Sequence, residues 1–142
     1  MSPEVDTILG LTAQKIATGF GEDGAAFAAG TAGLLGLVLS LSAKEYDRAA
    51  DIRVAENKDI RALFGALAGG VRDAALQARL QSAAVGQDAS LRISVLNEGN
   101  YALRRLLTEL QIDAEERGDA AAQKRIWDVL RALAARRVVP LG

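Results

Sequence analysis

The sequence contains no cysteine and no histidine. Their absence removes disulfides, thiol nucleophiles, imidazole bases and the usual zinc ligands together. It also removes the Glu-x-x-His pairs on which a di-iron helical bundle is built. Proline occurs only as Pro3 and Pro140, so nothing between them forces a helix to break. Aromatic residues make up only 4 % of the chain. Neither sign of charge dominates. The formal net charge is −1, which gives no general electrostatic pull on a nucleic-acid backbone, and no nucleic-acid partner is expected. Neither G-x-x-x-x-G-K-[ST] nor G-x-G-x-x-G is present, so no standard nucleotide cradle is visible. No catalytic, metal-binding or cofactor-binding residues are assigned, and no cofactor is expected. The first charges are the acidic Glu4 and Asp6 and the apolar run starts only after residue 24, which is not the order of a secretion signal. A cytoplasmic location follows as the expectation.

What is present is helix-forming. The chain has 142 residues, half of them hydrophobic, enough for one domain over residues 1–142 with a core of its own. Ser2 and Pro3 suit the start of a first helix, with Val5, Ile8, Leu9, Thr12 and Ile16 on one stripe. Gly19 and Gly21 end it, and Asp23 can cap a second helix that runs to Ala68, with a kink conceivable at Ser40 or Ser42. Gly69 and Gly70 form the clearest loop in the middle of the chain. A shorter helix is expected from Val71 to about Val85. The next, capped by Asp88 or Ser90, runs to about Arg117 with Leu96, Leu103, Leu106, Leu107, Leu110 and Ala114 inward. Gly118 and Asp119 read as a helix stop followed by a new cap, and the last helix turns Ala122, Ile126, Val129, Leu130 and Leu133 inward. The tail from Arg136 to Gly142 reads as loosely held. The expected fold is all-α, an antiparallel bundle of about five helices around a long apolar central helix, the second in order.

That second helix opens with an uncharged stretch, Gly24 to Ala43. Its length of about 20 residues matches a membrane span. Its early Ala and Gly residues, the absence of an aromatic belt and of a basic cluster, and the amphipathic helices around it favour burial in a bundle instead. Gly30, Gly33 and Gly36 lie three apart and make a smooth helix surface that another backbone can approach, in the same chain or in a second subunit.

Two stretches resemble each other under the pattern N-x-x-[IL]-R-x-L-[FL], one starting at Asn57 and the other at Asn100. In each, the Asn and the Arg (Asn57 and Arg61, Asn100 and Arg104) are one helical turn apart and point the same way. Two arginines and two amides can converge on an anion. The same residues can instead serve structure, bonding across a helix interface or to Glu56, Asp59 and Glu98, and this is the reading the sequence favours. Glu115, Glu116 and Asp113, and likewise Glu45, Asp47 and Asp51 with Arg48, read as solvated helix surface. Arg131, Arg136 and Arg137 suit a helix C-terminus. Trp127 and Tyr101 fall beside apolar stripes and read as core or interface.

Three functions remain. The first is a non-catalytic protein acting by association, as a homodimer or as an adaptor for a protein partner. The second is a binder of a small apolar or acidic ligand beside the glycine surface, with Arg61 or Arg104 on its head group. The third is a protein anchored by a single membrane span, the reading the sequence favours least of these.

Overall fold

The computed structural model describes residues 8, 9, 11, 12 and 25–138, giving the backbone alone at 25–30, 32, 33, 40 and 43. Among the described residues there are four α-helices and no strand. They are α1 (Ala25–Leu67), α2 (Ala74–Ala84), α3 (Ile93–Glu116) and α4 (Ala120–Arg136), with a 3₁₀ turn at Ala68–Gly70 between the first two. The chain divides into two compact units, residues 1–48 with 139–142, and residues 49–138.

In the first unit the backbone is helical at 8–9 and 11–12, and the rest of the expected first helix lies outside the described residues, as does Asp23. α1 passes through Ser40 and Ser42 with no break in its helical pattern. The apolar stretch is not buried all round: Leu34 and Leu37 are 66 % and 54 % exposed, and nothing lies within 4 Å of a Cβ built on Gly36. Gly30 and Gly33 fall where the backbone alone is described. Among the described residues, no helix is long and apolar enough to cross a membrane.

The second unit has one apolar core, built around Ile60, Phe64, Leu80, Leu110 and Ile126, all with under 2 % of their surface left open. Full burial of each such side chain is worth about 1.5–3 kcal/mol. The i, i+3, i+4 stripes select these residues. On α3 the stripe Leu96, Leu103, Leu106, Leu107, Leu110 and Ala114 is wholly buried. On α4 Ala122, Ile126 and Leu133 are buried, and Val129 and Leu130 pack against the core half-buried.

The helix ends follow local chemistry. Gly118 has φ +65, a conformation that glycine adopts without strain, and Asp119 caps α4 by accepting a hydrogen bond from the Ala122 N–H. Two boundaries differ from the sequence expectation. α2 begins at Ala74 rather than Val71: the Asp73 carboxylate caps it through the Ala75 N–H, and Val71 is extended and buried. α3 begins at Ile93 without a side-chain cap, because Ser90 lies two residues before the N-cap position, its Oγ accepting from the Arg92 N–H, and Asp88 is engaged elsewhere.

Candidate functional site

The buried stripe of α1 changes character along its length. Ala49 and Ile52 are apolar, Arg53, Glu56 and Asn57 are polar, and Ile60, Leu63 and Phe64 are apolar again; all eight are buried. On α3, Asn100 interrupts the leucine stripe between Leu96 and Leu103. The two interruptions meet. Asn100 Nδ2 donates to Asn57 Oδ1 at 2.9 Å, 43 residues away, and Arg53 donates through Nε to Asn97 Oδ1, 44 residues away. The offset is nearly constant, so α1 and α3 run parallel here. The two copies of the N-x-x-[IL]-R pattern thus lie side by side in register.

At the centre is Glu56, whose side chain has no exposed surface. Arg137, just past the last turn of α4, grips it with two hydrogen bonds, Nε to Oε1 and Nη2 to Oε2, both 2.7 Å. Asn100 Nδ2 adds a contact to Oε2 at 3.2 Å, and Arg104 Nη2 one at 3.3 Å. Arg104 also donates through Nε to Asn100 Oδ1 at 2.8 Å. Burial by itself pushes the Glu56 carboxyl up, and the hydrogen bonds and charges of Arg137 and then Arg104 outweigh it, holding the carboxyl below its ordinary value of 4.5. The reach of Arg137 overturns the expectation of a loosely held tail as far as Arg136 and Arg137, since Arg136 also pairs with Asp59 on α1.

A second carboxylate closes the other end of the network. Asp88 Oδ1 accepts from Asn57 Nδ2 at 2.9 Å and from Arg61 Nη2 at 2.8 Å. The structure therefore brings Asn57, Arg61, Asn100 and Arg104 into one continuous chain of hydrogen bonds, with Glu56 and Asp88 as the acceptors of its arginine charges. Glu98, named in the sequence as another acceptor, has no bond in the network. Because buried polar groups left unpaired cost about 1–3 kcal/mol each, this closure is what lets a charged layer sit inside an apolar core.

Arg53 has no place in the sequence reading, and Arg137 appears there only as a cation at a helix C-terminus, not as a partner of Glu56. Position 137 lies four residues after Leu133 and continues the inward stripe of α4, which was the available signal. Gly36 lies in the other unit and takes no part in the network.

Beside the network, α1 and the connection from α2 to α3 line a cleft of about 400 Å³. Its walls include Val54, Lys58, Arg61, Ala84, Gly86 and Asp88. Elsewhere on the surface, Trp127 and Tyr101 are more than two-fifths exposed, so neither is a core residue. Asp113 pairs with Arg117 at 2.7 Å, and Glu115 accepts from the Gln111 amide. Among the described residues no group of three carboxylates is placed to hold a metal ion. Comparison with protein-family models, with curated proteins and with solved structures finds no match.

Proposed function

We propose that the protein acts by association rather than by chemistry, as a homodimer or as the docking partner of another protein. The observation that carries this reading is the apolar surface of α1 in the first unit. Leu34 and Leu37 stand open to solvent around an unobstructed Gly36, in a stretch without charge from Gly24 to Ala43. Large apolar side chains exposed together mark interaction surfaces more often than they occur by chance. A glycine between them admits a second backbone at close range. C2 pairing is the commonest closed assembly and fits such a surface. In the same reading the helical backbone at 8–9 and 11–12 belongs to a further helix that completes a set of about five, and Gly24 to Ala43 becomes the central helix once a partner covers it. A cytoplasmic location belongs to this proposal too.

The network around Glu56 supports the same reading from another side. Arg104 gives its Nε and Nη2 to groups of its own chain, which favours a structural role for it over holding an acidic ligand.

Sedimentation of the full chain at micromolar concentration tests the proposal. A reversible dimer is expected, shifted to monomer by Leu34→Glu with Leu37→Glu, with helix content unchanged. A chain that is monomeric throughout and captures no protein through these two residues overturns it, and so does recovery of the untagged protein in the membrane fraction.

A further inference from the structure

The cleft between α1 and the α2–α3 connection holds charge that the chain leaves unanswered. Lys58 and Arg61 are three residues apart on α1 and share one side of the helix. Asp88 faces Arg61, and its Oδ1 accepts from Arg61 Nη2 and from Asn57 Nδ2, so this carboxylate is spoken for. Arg61 is largely buried, with 15 % of its side chain exposed, and among the described residues its buried Nε has no hydrogen-bond partner. Among the described residues nothing pairs with the Lys58 ammonium, which is exposed. Two cations and one carboxylate leave the cleft one positive charge in surplus. Val54 and Ala84 supply an apolar wall. Gly86 keeps the opposite wall thin: a Cβ there would sit 3.8 Å from Arg61 Nε and 3.2 Å from the Ala83 carbonyl oxygen.

We propose that this cleft binds a small monocarboxylate, its head group between Lys58 and Arg61 and a short apolar body against Val54 and Ala84. The hollow is open to solvent over much of its extent and measures about 400 Å³, so it would hold only part of a small ligand. A single negative charge matches the surplus, whereas a phosphate dianion exceeds it and meets Asp88. The apolar wall selects a carboxylate with a few methylenes over a bare ion. This site lies in the second unit and is independent of the association proposed for the first.

The test is an NMR titration of the full chain with hexanoate, with hexanol and inorganic phosphate as parallel arms. Hexanoate should move the amide signals of Lys58, Arg61, Gly86 and Asp88 saturably, in the millimolar range or tighter, while hexanol and phosphate leave them in place. Lys58→Gln should weaken hexanoate about fivefold, the weight of one partly exposed ion pair, without lowering the unfolding midpoint. The proposal is overturned by an absence of saturable shifts at these amides, by phosphate or hexanol binding as well as hexanoate, or by Lys58→Gln binding hexanoate as the parent does.

Discussion

Replacing Arg137 with methionine separates the two ends of the Glu56 ion pair. The guanidinium is one-third exposed, whereas the carboxylate has no exposed surface. The two single losses are therefore unequal. Glu56→Met takes the charge out of the core and leaves arginines that can turn to water. Arg137→Met leaves the charge inside on its two longer contacts, 3.2 Å from Asn100 and 3.3 Å from Arg104. Removing one member of a buried pair costs about 3–5 kcal/mol. Protonation caps that cost. At about pH 7, neutralising a carboxyl whose ordinary value is 4.5 takes about 3.4 kcal/mol, at roughly 1.36 kcal/mol per unit. Arg137→Met is thus expected to lose about 3 kcal/mol and Glu56→Met about 1–2 kcal/mol. The pH dependence differs in sign. In the parent, the Glu56 carboxyl lies below 4.5, so its contribution is present above that value and lost as pH falls through the lowered one. In Arg137→Met only Arg104 is left to oppose burial, and the folded carboxyl is expected to rise above its unfolded value. The folded state then binds more protons than the unfolded one, and stability falls as pH rises from about 5 to 7. Urea unfolding followed by the fluorescence of Trp127, the sole tryptophan, measures both effects. The reasoning is refuted if Arg137→Met costs no more than Glu56→Met, or if its stability climbs over that pH range.

Four other perturbations follow from the same geometry. Asn57→Ala and Asn100→Ala should each destabilise, and the double variant should lose about 1 kcal/mol less than the singles together, because one change already breaks the amide pair; simple additivity in a double-mutant cycle would speak against it. Gly118→Ala should lower unfolding stability by about 1 kcal/mol through its left-handed backbone, while Gly69→Ala, with open space and no such backbone, should not lower it. Leu80→Ala should cost about 3 kcal/mol by chemical denaturation, since its side chain is fully buried. Lys124→Ala and Arg131→Ala, which remove exposed partners of Asp128, should leave the thermal midpoint where it is.

The apolar half of the second unit is readable from sequence because leucines at i, i+3 and i+4 admit one inward side. The stripe of α3 and the stop at Gly118 both come directly from that rule and from the backbone freedom of glycine. The helix starts are harder. Val71 extends the apolar period of α2 backwards, yet Asp73 is the residue whose carboxylate reaches the free N–H groups, and capping decides the boundary. Asp88 has the composition of a cap and is instead drawn to Arg61 and Asn57, because a charge-assisted bond outweighs a cap at an exposed helix start. The pairing of Asn57 with Asn100 depends on α1 and α3 running parallel in register. Local sequence does not encode that arrangement, although the repeated pattern carries its offset. Glu56 is identifiable as an acceptor by proximity on α1, but its main partner stands 81 residues away, and only the completed packing of α4 connects them.

That separation bears on the order in which the chain can fold as it is made. Glu56 leaves the ribosome long before Arg137, and until the last turn of α4 emerges the carboxylate has only Arg104 and Asn100 to answer it. A nascent second unit lacking its final residues would have to keep Glu56 wet or protonated. Until Arg137 emerges the second unit lacks the stability that Arg137→Met is expected to lose, and a product cut short before that residue would be the easier one for proteases to open.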